Sequence, residues 1–161
     1  MIRAGADGPG AAATFSGYAS LFERIDLGRD VVAPGAFANS LRRRGAGGVR
    51  MLYQHDPGQP IGVWTELSED RHGLYVRGRL SAGARQAREL AALIHDGALD
   101  GLSIGFRTAR AHADKAAGVR RILEADLWEI SLVTFPMLPG ARVERIELAA
   151  AAGFRRDALQ P

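Results

Sequence analysis

An α+β fold with strands in the majority is predicted from three features of the chain. Most apolar segments alternate with polar residues at a period of two. Two such segments, Pro60 to Leu67 and Gly73 to Leu80, flank the short polar turn Ser68 to His72 and read as an antiparallel hairpin. Between Ala84 and His95 the period changes to nearly four, with Ala87, Leu90, Ala91 and Ile94 on one helical face. At 161 residues the chain reads as one domain, long enough to bury a core without disulfides or metal.

Residues 1–13 are rich in Gly and Ala, have little to bury, and read as a flexible tail ahead of a domain over 14–148. Thr14 to Phe22 reads as a strand anchored by Phe15, Tyr18 and Phe22. Val31-Val32 leads into Pro34-Gly35, after which Ala36 to Arg44 forms a short helix that stops at Gly45, with Gly45 to Gly48 as a loop. Val49 to Tyr53 is a strand that delivers His55, followed by an Asp56-Pro57-Gly58 turn signal. The helix over 84–95 ends before Gly97 and is followed by strand residues around Ser103. Val119 to Leu123 and Leu127 to Phe135 are further strands, with Asp114 to Gly118 a loop. Pro136 and Pro139 end that run, Val143 to Leu148 adds an edge strand, and the Ala-rich residues 149–161 read as a loose helix or tail.

Composition narrows the chemistry. The chain has no Cys, which excludes a thiol nucleophile, a Cys-ligated zinc site and a disulfide scaffold, and no cofactor is expected. No apolar run approaches the roughly 20 residues of a membrane span, so a soluble intracellular protein is expected. The net charge of +3 is carried almost wholly by Arg, Lys115 being the one Lys. The compact run Arg42-Arg43-Arg44 reads as a solvated helix end, and nucleic acid is not expected as a partner.

Asp100-Gly-Leu-Ser-Ile-Gly-Phe106 sets one Ser between two Gly in an apolar run. On a strand, Leu102, Ile104 and Phe106 face the core while Ser103 and Gly105 face the other way, into a space kept open by Gly. This makes Ser103 a candidate nucleophile; the bland reading is an outward strand hydroxyl beside a bulge glycine. A serine needs a base, and His55, at a strand end, is the candidate. His72 and His112 lie in polar loops, and His95 has an ordinary place at a helix C-terminus. The acceptor that would orient the imidazole is sought in Leu127-Trp-Glu-Ile-Ser-Leu-Val-Thr-Phe135, where Glu129 and Ser131 share one face and Trp128, Ile130 and Leu132 the core face. Asp126 competes with Glu129, but in a regular strand it points the opposite way.

His55 after a strand, the Gly-Leu-Ser-Ile-Gly-Phe run and the Trp-Glu-Ile-Ser-Leu-Val-Thr-Phe-Pro run, in this order, resemble the prohead (capsid maturation) serine proteases of tailed phages of the HK97 type, which have relatives in gene transfer agents. Gly17-Tyr-Ala-Ser-Leu-Phe22 and Val32-Ala-Pro-Gly-Ala-Phe37 add to the resemblance, which spans about 14–145. It implies a mostly antiparallel β-barrel surrounded by helices, like the herpesvirus assembly proteases, with His55, Ser103 and Glu129 as catalytic residues. The herpesvirus third member is a His, so Glu129 departs from that relative. The resemblance further implies that the major capsid protein or scaffold is the substrate. Cleavage would take place inside a procapsid in the bacterial cytoplasm, with self-cleavage and self-association expected.

Gly101-Leu-Ser-Ile-Gly105 also fits the elbow motif of α/β hydrolases, but that elbow needs a strand before the Ser and a helix after it. Here the helix precedes and strand residues follow. A noncatalytic assembly factor that keeps the fold is the alternative from another class. The oxyanion donors are expected in the Pro136 to Gly140 loop or at Gly101.

Overall fold

A computed structural model of the chain describes residues 11–149. Its elements are β1 (Ala11–Leu21), β2 (Asp30–Val32), α1 (Ala38–Arg44), β3 (Arg50–Tyr53), β4 (Asp56–Glu69), β5 (Gly73–Ser81), α2 (Arg85–His95), β6 (Gly101–Asp114), β7 (Val119–Val133) and β8 (Val143–Leu148), with a single 3-10 turn over Ala46–Gly48. β6, β7, β3, β4, β5, β1 and β8 pair in that order. The ring closes where Gly101 bridges Arg142, with Leu102 N–H donating to Ala141 O and Val143 N–H to Asp100 O. The result is a barrel, antiparallel except where β2 and β3 run parallel to β7.

The barrel interior takes the apolar alternates of each strand: Phe15, Met51, Ile61, Leu74, Val76, Leu80, Leu102, Ile130 and Leu132 are nearly or wholly inaccessible to water. Each such side chain contributes about 1.5–3 kcal/mol of transfer free energy. Trp64 packs edge-on against Phe15 and lies over Gly78, where a Cβ would sit 2.7 Å from the indole ring. α2 lays Ala87, Leu90, Ala91 and Ile94 against the barrel beside β1, β5 and β8. It ends in a left-handed Gly97, as its sequence predicts.

β7 is one 15-residue strand rather than two, and its edge opposite β6 is filled by successive pieces of chain. Asp30–Val32 pair with Arg120–Ile122, Ala36 O accepts from Ala125 N–H, and Arg50–Tyr53 pair with Glu129–Leu132. Between the last two, where no strand is available, the buried Ser40 hydroxyl of α1 accepts from Leu127 N–H at 2.8 Å.

Three further sequence expectations change. β1 begins at Ala11, and Ala13 is buried in the core, so the strand takes in the end of the segment read as tail; residues 1–10 and 150–161 lie outside those described. Tyr18 does not join the core but donates to Asp70 on the outer face, which pushes its phenol up to about 12. Trp128 is not a core residue: it is 48% exposed while Leu127 is fully buried. The pairing explains this, because Gly105 opposes Glu129 and Phe106 opposes Leu127, leaving Trp128 as the extra residue of a β-bulge.

Candidate active site

The bulge also changes which carboxylates share a face. Gly105 and Arg107, two apart on β6, point to one side, and their partners are Glu129 and Asp126. Asp126 therefore faces the same way as Glu129, contrary to the regular-strand expectation. Its partners set it apart from the site: Arg44 Nε and Nη2 donate to it at 3.1 and 3.0 Å, Trp128 Nε1 at 3.1 Å and Arg43 at 3.3 Å. The Arg44 bonds hold its carboxyl down at about 2. The triple-Arg run is thus partly neutralised by β7 rather than wholly solvated.

His55 lies in the turn itself. Tyr53 pairs with Asp56, so Gln54 and His55 form a two-residue hairpin loop, and both have positive φ, +52° and +59°. The Asp-Pro-Gly signal belongs to the start of β4, where Asp56 Oδ1 accepts from Gly58 N–H. Positive φ is uncommon for any non-glycine residue, more so for Gln than for His. Bonds to β7 hold them there. Gln54 N–H donates to Leu132 O at 2.9 Å, Gln54 Nε2 to Thr134 Oγ1 at 2.7 Å, and His55 N–H to Ser131 Oγ at 3.1 Å.

The imidazole meets Glu129: Nδ1 lies 2.5 Å from Oε1. The Glu129 carboxylate is the main cause that raises the His55 pKa above its ordinary value of 6.5, with partial burial opposing it. The other carboxylate oxygen, Oε2, accepts from Ser131 Oγ at 2.6 Å. Nδ1 thus faces the carboxylate and Nε2 is left for proton transfer.

Ser103 stands on β6 directly opposite Ser131 and two residue pairs from Gly105–Glu129, with Ile104–Ile130 between, so it shares their face. It is 6% exposed and borders a cleft lined by Ala19, Leu21, Val32, Ile104, Phe106 and Leu138. No hydrogen bond joins Ser103 Oγ to His55 among the described residues, so of the three candidates the structure bonds His55 to Glu129 and sets Ser103 on the strand beside them. Catalytic hydrogen bonds are often long before substrate arrives. Gly105 has a use that sequence reasoning missed. Glu129 lies across it, and a Cβ there would overlap Oε1 and come 2.8 Å from Cδ. The space beside Ser103 that glycine opens is occupied by the acceptor carboxylate.

Ser131 was legible as a residue of the same face, but its bonds to His55 and Glu129 were not. Among the described residues no group of three or more His, Asp or Glu side chains gathers as metal ligands, and no helix is long and apolar enough to cross a membrane. His72, His95 and His112 are exposed and remote from Ser103 in the pairing, on the β4–β5 turn, the end of α2 and the far end of β6.

Comparison with known proteins agrees with this architecture. The chain is 38% identical over 132 residues to the prohead protease of Enterobacteria phage HK97, covering 80% of this chain and 58% of that protein. It is 33% identical over 86 residues to the prohead protease of Escherichia phage T5, covering 53% of this chain and 40% of that protein. It thus spans less than two thirds of the length of either relative. Among solved structures, the bacteriophage T4 capsid assembly protease superposes with a TM-score of 0.59 at 16% identity, over 74% of this chain and 80% of that one. The KSHV protease, bound to a hexapeptide phosphonate inhibitor, gives 0.54 at 13% identity, over 87% and 66%. The varicella-zoster virus protease gives 0.52 at 13% identity, over 84% and 64%. These likenesses establish the fold expected from the sequence, the β-barrel shared by phage and herpesvirus assembly proteases. The family model for the caudovirus prohead serine protease matches residues 2–153, nearly the whole chain, and the chain belongs to that family.

Proposed function

We propose that this chain is a serine endopeptidase of capsid maturation, with Ser103 as nucleophile, His55 as general base and Glu129 as the acceptor that orients His55. The observation that carries the reading is the 2.5 Å contact of His55 Nδ1 with Glu129 Oε1, made beside the strand that bears Ser103. Ser103 Oγ attacks the peptide carbonyl carbon as its proton passes to His55 Nε2, and Glu129 supports the imidazolium. The C–N bond then breaks as His55 returns that proton to the leaving amine. Water attacks the resulting ester, giving its proton to His55; as the C–Oγ bond breaks, Ser103 recovers a proton from His55 and the new carboxyl group is released.

The substrate is an extended segment of the major capsid protein or its scaffold, and cleavage takes place inside the procapsid within the bacterial cell. The fold offers such a segment a seat. Leu102 N–H, turned away from β7, is taken by Ala141 O. Two residues on, Ile104 turns its N–H and C=O to the same edge, where among the described residues no other strand pairs with β6. A peptide added there gains backbone hydrogen bonds beside Ser103. The cleft there is mixed in character: Met137, half exposed and accepting from Leu27 N–H at its carbonyl, lines it together with Leu21 and Leu138 and with the charged Arg24 and Asp26.

Intact-mass spectrometry of the protein and of Ser103→Ala, each incubated with its cognate capsid protein, tests the reading. Defined cuts in the capsid chain present only with Ser103 are expected; identical cuts in both samples would overturn the nucleophile assignment.

A further inference from the structure

We infer that Ser131 is a positioning residue of this site: its hydroxyl ties the backbone of His55 to the carboxylate of Glu129, so that base and acceptor are held as one unit. The inference rests on the roles proposed above for His55, Ser103 and Glu129, and adds a residue to them.

A serine hydroxyl has one proton to give and lone pairs to receive. Both functions are committed here. Ser131 Oγ donates to Glu129 Oε2 at 2.6 Å and accepts from His55 N–H at 3.1 Å. Glu129 Oε1 closes the circuit at His55 Nδ1, 2.5 Å away. The path runs from the His55 backbone through Ser131 and Glu129 back to the His55 ring, so shifting any one of the three displaces the other two. Ser131 is wholly buried and its proton is engaged, which disqualifies it as a rival nucleophile despite standing directly opposite Ser103.

The arrangement answers two needs that the fold creates. The turn at Gln54 and His55 carries the His55 N–H past the last residue of β3, so it has no ladder partner and instead meets the side chain of Ser131, the residue opposite Leu52. The carboxylate of Glu129, folded back over Gly105, directs only one oxygen at the imidazole and leaves the other to be satisfied from its own strand. A hydroxyl two residues along β7 meets both. Alanine at 131 leaves a backbone donor and a mostly buried carboxylate oxygen without these partners, and the carboxylate is then free to turn away from the ring.

The test compares Ser131→Ala, Ser103→Ala and the unaltered chain by steady-state cleavage of the capsid protein and by NMR titration of isotope-labelled His55, a readout that needs no turnover. Ser131→Ala is expected to lower kcat by roughly 10²-fold with KM little changed. Because the Glu129 bond is the main cause of the raised His55 pKa, the His55 midpoint is expected to fall toward 6.5. Ser131→Cys leaves no cavity and, being only a weak donor and acceptor, weakens both bonds, and gives the same two readings should the Ala variant fail to fold. A loss of kcat with the His55 titration unmoved would mean a merely structural role and overturn the inference, as would full activity with an unchanged titration. Cleavage at the normal rate by Ser103→Ala would instead overturn the proposed function itself.

Discussion

Gly105 shows how a single missing side chain sets the geometry of this site. Its Cα faces the Glu129 carboxylate so closely that any Cβ must push it aside. Gly105→Ala is therefore expected to reduce kcat by about 10²-fold through misplacement of Glu129, at a stability loss of about 1–3 kcal/mol. Peptide-cleavage kinetics and urea unfolding measure the two effects separately. His55 carries a second prediction. A base acts when neutral, and the neighbouring carboxylate raises the His55 pKa, so the acid limb of the kcat/KM profile is expected to have its midpoint above 6.5. The same pair acts oppositely on stability. A raised folded-state pKa contributes fully below the unfolded value, and the contribution is lost as pH rises through the folded value. With His55 as the proposed base, activity is gained over the pH range in which that stabilisation is lost; a midpoint at or below 6.5 would contradict the His55–Glu129 contact.

At the scale of elements, β7 organises the molecule, and most of what the sequence could not convey lies along it. Alternation and turn chemistry make the β4–β5 hairpin, α2 with its Gly97 stop, the short α1 and β8 legible, because each is specified by residues close together in the chain. The Trp128 bulge is different. Nothing in Asp126-Leu-Trp-Glu129 marks an extra residue; it follows from matching β7 to β6, and one unpaired residue inverts the predicted faces of Trp128 and Asp126. The His55 turn escaped for a similar reason, since Gln54 and His55 hold positive φ by bonds to residues nearly 80 positions away. Glu129 and Ser103 were legible because both lie where alternation runs undisturbed. The edge of β7 yields its own prediction. Ser40 supplies the acceptor between β2 and β3, so Ser40→Ala leaves Leu127 N–H buried without that bond and is expected to cost about 1–3 kcal/mol in urea unfolding.

For the whole molecule the decisive feature is where the barrel closes. β8 meets β6 at Gly101 and Arg142, supported by Arg142 Nη1 donating to Asp100 Oδ1 at 2.6 Å. The approach is close because Gly17 on β1 lies under the backbone at Arg142 and Val143, with room for no Cβ. Gly17→Ala is expected to pry this closure open and destabilise the chain by about 3 kcal/mol, read as a lowered Tm, with hydrogen exchange accelerating first at Leu102 and Val143. Beyond the closure the Ile104 edge stays open, and an open edge is also where one molecule can stick to another. Full closure would remove that hazard along with the opening. Here the exposure is kept short: a few residues past Leu102 the bulge coils the β6–β7 pair, and Arg107 and Arg110 add charge to the stretch that follows. A foreign strand long enough to seed aggregation finds only a few residues to copy.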